Sequence, residues 1–422
     1  MDATVNDAFD SRSNRSTCRP SGWIGSSTAL LCLSLLLLLL TAGCEKNTPT
    51  TAPETAEQLN NSDMDLDQAQ SGVATEQLWR VASESLNAIE SEARNLSQAI
   101  STFLDQPTPA NLTSAQQKWR SAYFSYQGFY FYSQLAVTEA EVFAPLVQAD
   151  FYIGAEPIQP GYLDYFGDYP YAGLVHDISV PLNPESLIKQ HGMTDAEEIV
   201  LGLHAIEFML FGENGSRPPI DYLELDELTT SNNEQGYNTV NELPNNRRRA
   251  LLQTQANQLT TDIEGLHNAW ENRGIGSIHS NWQDLTPSEQ VLTIRKAFER
   301  TVTQLLLKTV ASSTAANAAT ESSETETNAA TDSSGANPQT NQNTDLPFQL
   351  LSNSQLAQAL ANAVASLKGC YLYLPETTGA TITAELERAH HQLEQSSASG
   401  TPIDWSQVYQ AIKDSSEAYQ TR

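Results

Sequence analysis

Between Glu76 and Leu104 the apolar residues Leu78, Val81, Ala82, Ile89, Ala93, Leu96, Ile100 and Phe103 recur mostly at three- and four-residue steps, with polar residues between them. That spacing predicts one long amphipathic helix with a single buried face. The same pattern predicts helices over Ser114 to Leu135, Arg247 to Glu271, Pro287 to Val310, Ser354 to Leu374 and Thr383 to Gln395. No segment shows the sustained alternation of a half-buried strand. Long helices joined by loops imply bundles. The expected class is therefore all-α, with two helical-bundle halves and an irregular, aromatic-rich crossover.

Two stretches break the pattern in opposite ways. From Pro145 to Ser186, prolines and glycines interrupt a dense set of tyrosines and phenylalanines, which predicts an ordered but irregular crossover. From Ile199 to Phe211 nearly every position is apolar, as in a helix buried on all sides. Thr194 and Glu197 fit a capping box, so this helix is expected to start near Asp195. Gly212 is expected to end it.

The ends of the chain set the domain limits. Arg12, Arg15 and Arg19 precede an apolar run from Ala29 to Leu40 that closes in Thr41-Ala42-Gly43-Cys44. This reads as a signal peptide over residues 1–44 with a lipobox, and makes Cys44 the lipidated first residue of the mature chain. Residues 45–74 read as a flexible tether. Residues 75–310 form the main helical region. Residues 311–345, without an aromatic or a large aliphatic before Leu346, read as a disordered insertion. Residues 346–422 supply C-terminal helices completing the fold. A membrane-anchored lipoprotein facing the periplasm, by default from the outer membrane, is the expected location.

Cysteine and charge narrow the chemistry. With Cys18 and Cys32 removed and Cys44 modified, only Cys370 remains, so a disulfide framework within the monomer and a cysteine metal site are both excluded. The net charge of −29 makes nucleic acid and anionic lipid poor partners. A nucleophile elbow, a dinucleotide fingerprint and a phosphate loop are all missing.

What remains is Gly202-Leu203-His204-Ala205-Ile206-Glu207. On a helix His204 and Glu207 share a face, which permits two ligands to one metal. The spacing equally permits a buried hydrogen bond between the two side chains, because both need partners in a dry interior. Gly202 weakens a helix, so another backbone or a ligand is expected to come close there. His176 beside Asp177 is the more interesting of the other histidines; most of the rest are expected at the surface.

These residues resemble the GxHxxE signature of imelysin-like proteins, a family of bacterial envelope proteins grouped with metallopeptidases and linked to iron acquisition. The flanks agree: Gly161 to Tyr165, Tyr169 to Val175 with Asp177, Gln190 to Asp195, Gly212-Glu213, Arg217-Pro218, Asp221, Arg247 to Arg249, Leu251 and Trp270. The resemblance implies a helical fold with a site at the junction of two halves. It implies His204 and Glu207 as metal ligands, with Gly202, Asp164, Asp177 and Asp221 around them. The cofactor or cargo it implies is a divalent or ferric ion, iron first and zinc second, with an envelope transporter as partner. Three functions stay open: a metal-binding lipoprotein serving metal acquisition, a metallopeptidase using the same pair, and a scaffold or adhesion lipoprotein with a structural His–Glu pair. The peptidase ranks second because Glu207 would have to serve as both ligand and general base.

Overall fold

The computed structural model describes residues 67–325, 353–367, 370, 373, 376–399 and 403–420. The signal peptide, Cys44, the tether up to residue 66 and the insertion from residue 326 onward lie outside the described residues. The described elements are helical, with no strand beyond an isolated bridge between Phe166 and Tyr169. No described helix is long and apolar enough to cross a membrane.

The first helix, α1, runs Gln68–Asp105 and so claims the end of the expected tether. Asp67 is the reason: its carboxylate accepts the Gln70 amide, capping a turn whose Ser71, Ala74 and Thr75 are buried. The expected single helix after it is two, α2 (Pro109–Gln127) and α3 (Tyr130–Thr138), separated at Gly128 and Phe129. Thr108 caps α2, with Pro109 in the first turn where its missing N–H costs nothing. The crossover carries α4 (Ala144–Ile153), the single turn α5 (Pro160–Leu163) and α6 (Pro184–Gln190), with irregular chain between them.

The central helix α7 spans only Leu203–Phe211. It does not start at Asp195, because Glu198 rather than Glu197 takes the Thr194 amide, and the amides of Val200 and Leu201 are bound by a side chain instead of by a helix turn. A short helix α8 (Thr230–Glu234) leads to α9 (Pro244–Glu271), followed by α10 (Ile278–Gln283) and α11 (Pro287–Thr325). Thus α11 continues through the first part of the expected disordered insertion. The alanine-rich sequence favours helix there. The last helices are α12 (Asn353–Ser366), α13 (Glu376–Ser399) and α14 (Trp405–Gln420).

Two sets of helices result. In one, α1 packs against both α2 and α9, and α7 lies against α2 and α9. In the other, α13 packs between α12 and α14, with α11 against α14 and α3. Contacts of α2 with α12 join the sets. Where α1 meets α9, Trp79 and Trp270 stack with ring centroids 4.7 Å apart, and each indole N–H donates to the other's carbonyl at 3.3 Å. Phe129 and Tyr132, at the start of α3, pack edge-on against Trp270 and bring the junction of the two sets onto this tryptophan pair.

Leu96 is fully buried on the packed face of α1. Leu96→Ala is expected to lower unfolding stability by about 2 to 5 kcal/mol in urea titration. A loss well below 1 kcal/mol would show that this face is not the packed seam described.

Candidate metal centre

Helix α7 is nine residues long and buried on every side. Too short to hold itself together in water, it is held by its neighbours. Its last four carbonyls, which no helical amide can reach, are all taken: Phe208 by the Gly212 amide at 2.8 Å, Met209 by the Tyr222 hydroxyl, Leu210 by the Gln116 amide at 3.0 Å and Phe211 by the Arg217 amide at 2.9 Å. The Trp119 indole donates to Leu203 O at 2.7 Å.

Just before the helix, Gly202 adopts φ of +93°. A Cβ there would meet Ile153 O at 2.7 Å and Tyr152 O at 2.8 Å. Gly202 is therefore not inside the helix but at its cap, and the close backbone expected beside it is the end of α4. Gly173 does the same for Asp164, since a Cβ on it would stand 2.5 Å from the Asp164 nitrogen.

His204 and Glu207 are 5% and 4% exposed. Their side chains meet, Nδ1 to Oε2, at 3.1 Å. On the other side of the ring, Nε2 lies 3.5 Å from Oε2 of Glu156, a crossover residue whose side chain is 35% exposed. His204 thus has a carboxylate at each nitrogen. Burial pushes the Glu207 carboxyl up, the His204 hydrogen bond opposes that rise, and the Glu156 carboxylate adds to it. Glu207 Oε1 is buried with no hydrogen-bond partner. Arg120, whose guanidinium lies 4.9 Å over the Phe211 ring, is the cation that favours ionised Glu207 through space. Among the described residues, no group of three or more His, Cys, Asp or Glu side chains is gathered to hold a metal.

Asp164, Asp221 and Asp177 have partners of their own. Asp164 is fully buried and receives Arg248 through two nitrogens, at 2.6 and 2.9 Å, and Arg217 Nη1 at 2.9 Å. Burial alone would raise its pKa, but His176 and the two guanidinium groups outweigh burial and hold the carboxyl well below the usual range. The Tyr165 ring lies against both arginines, at 4.6 and 5.5 Å, while its hydroxyl donates to Asp221 at 2.8 Å. Asp177 accepts the Ser179 amide and hydroxyl, the ordinary work of a turn residue. These aspartates are thus held by arginines, His176, Tyr165 and Ser179. His176, beside Asp177 in sequence, approaches Asp164 instead, at 3.7 Å.

Two histidines expected at the surface are buried. His279 is 3.0 Å from Glu76 and edge-on to Trp79. His191 is the one that bears on the site. Its Nδ1 accepts the amides of Val200 and Leu201 at 3.2 and 3.0 Å, so its Nε2 carries the proton and donates to Phe151 O at 2.8 Å. One neutral imidazole thereby ties α4 to the chain entering α7. Its only sequence sign is a histidine directly before Gly192; nothing in spacing reveals its partners. Glu156 was likewise not among the expected residues, because its contact with His204 is made across the fold.

Two outcomes are expected. Gly202→Ala forces a side chain into the Tyr152 and Ile153 carbonyls at a positive φ and should cost at least about 2 kcal/mol, read by chemical denaturation. Burial lowers the His191 pKa from its ordinary 6.5. The unfolded chain therefore takes up this proton first, so the contribution of His191 to stability is complete above about pH 6.5 and declines as pH falls through that value. An NMR titration showing His191 protonated in the folded state at or above 6.5 would contradict the assignment.

The profile of the imelysin family, peptidase M75, matches residues 82–342. No curated protein matches the chain. Among solved structures, a protein assigned as an iron-regulated protein A precursor from Parabacteroides distasonis is similar at 12% identity and a TM-score of 0.49, over 85% of this chain and 95% of that one. The profile covers more than half of the sequence and includes His204 and Glu207: the chain belongs to the imelysin family.

Proposed function

We propose that this is a metal-capturing protein of the bacterial envelope, lipid-anchored at Cys44, which takes a metal ion, iron first and zinc second, at His204. The observation that carries the reading is the buried imidazole with a carboxylate at each nitrogen. Histidines that bind metals through one nitrogen are typically oriented by a carboxylate at the other. Glu207 is suited to that orienting task through Nδ1. Nε2 is then free of its proton and faces Glu156. Ligands about 2.1 Å from a four-coordinate ion stand about 3.4 Å apart, close to the 3.5 Å between Nε2 and Glu156 Oε2. On this reading the first ligands are His204 and Glu156, and Glu207 positions the ring while adding negative charge. The ion is cargo, passed on to an envelope transporter.

Peptide cleavage by the same centre ranks second. A peptidase must bring a scissile bond to its metal and keep a base beside the attacking water, and the His204 and Glu207 side chains are almost wholly enclosed.

The double change His204→Ala, Glu207→Ala should abolish stoichiometric metal binding, measured by elemental mass spectrometry after titration with Fe, Zn, Mn and Cu, while far-UV helix content stays nearly intact. Glu156→Gln should weaken binding by about tenfold or more. Full metal binding by the double variant would sink the site.

A further inference from the structure

Between Glu213 and Glu242 the chain carries seven acidic residues and one basic residue, Arg217. That arginine is buried against Asp164. The three arginines at the start of α9 are also turned inward. Arg247 serves four backbone carbonyls, Arg248 holds Asp164 through two nitrogens, and Arg249 donates to the carbonyls of Leu104 and Tyr222 while lying 3.4 Å from Glu224. With the cations spent inside, the surface of this region is left to carboxylates, and Asp168, Asp226 and Glu227 are exposed.

Large apolar side chains stand among these acids. Tyr169 and Tyr171 are 73% and 75% exposed, and Ile220 is 64% exposed. The chain that presents them is held in place. Phe166 and Tyr169 close a turn by paired backbone bonds at 3.1 and 3.4 Å, and the Tyr171 ring rests edge-on to His176 at 5.8 Å. Gly167 N donates to Glu213 at 2.9 Å and the Tyr165 hydroxyl to Asp221 at 2.8 Å, so the tyrosine turn and the segment carrying Ile220 are tied to each other. Asn245 in turn fixes the Ile220 and Leu223 carbonyls at 3.0 and 3.2 Å. Aromatic side chains on a chain already ordered lose little freedom when a partner covers them, and tyrosine is among the residues that most often anchor interfaces.

We infer that this region is a docking surface for a basic protein segment, whose arginine side chains lie over the Tyr169 and Tyr171 rings and beside the surrounding carboxylates. Charge complementarity selects the occupant. A guanidinium group can stack on a phenol ring and pair with a neighbouring carboxylate in the same pose. A second copy of this chain would set the same acids against each other, on a molecule whose net charge is −29. Nucleic acid and anionic lipid are repelled for the same reason. The inference goes beyond metal capture and stands apart from it, because none of its residues belongs to the His204 centre.

The test uses the full chain in detergent and a short fluorescein-labelled peptide alternating arginine and glycine, followed by anisotropy at about 150 mM sodium chloride, where charges far from the contact are largely screened. Wild type should bind the peptide saturably. The double change Tyr169→Ser, Tyr171→Ser leaves the net charge unchanged and should weaken binding by about tenfold. Asp226→Asn with Glu227→Gln keeps both rings and should weaken it at least about threefold. Glu387→Gln with Glu394→Gln removes as much charge from the exposed side of α13 and should change it by less than about twofold. No binding by wild type, or full binding by the tyrosine variant, would overturn the inference. An equal loss in the α13 variant would reduce it to diffuse attraction and overturn it as well. Self-association of wild type in sedimentation velocity, lost with the two tyrosines, would overturn the basic partner in favour of a second copy.

Discussion

A short helix with no exposed face is the constraint on which the rest of this protein turns. Burying α7 removes water from its carbonyls and from its two polar side chains alike, and apart from Glu207 Oε1 the groups described are answered by something else in the chain. The carbonyls are answered by Trp119 and Gln116 of α2, by Tyr222, and by the amides of Gly212 and Arg217. His204 is answered by Glu207 and Glu156. The long helices are arranged so that these partners arrive together: α2 lies on one flank and α9 on the other.

A second buried knot holds the surrounding irregular chain. Asp164 joins Arg217, just after α7, to Arg248, near the start of α9, and Tyr165 fills the space against both guanidinium groups. Arg247 adds bonds to the carbonyls of Leu174, Val175, Asp177 and Val180. Long irregular segments leave many carbonyls without regular partners, and this arginine serves four of them. Removing one member of such a knot leaves a buried charge without its partner, which costs more than the pair contributes. The crossover is thus ordered by side-chain bonds to its backbone where it lacks its own secondary structure.

The legibility of the sequence follows the same division. The long helices could be read because each has a water-facing side, and the contrast between faces leaves a period in the residues; α1, α9 and the start of α11 follow that period closely. Helix α7 carries no such contrast. Its apolar run therefore fixed neither its start nor the place of Gly202, which belongs to the cap and not to the helix. His204 and Glu207 were visible because they are the only polar side chains in the run. Glu156 and His191 were not, since the bonds that define them reach across elements far apart in the chain. The aspartates drawn from the family resemblance bond to arginines and to turn residues, partners that spacing alone does not reveal.

The support of α7 by distant parts of the chain has a consequence for how its polar pair comes into being. Nine residues of helix have almost no population in isolation, and the groups that hold this one lie on helices contributed by both earlier and later stretches of sequence. The pair is therefore the product of late, cooperative assembly and has no existence as a local peptide. A nascent chain would present His204 and Glu207 as two loose side chains until α9 had docked, and partial unfolding that frees α9 would scatter them again.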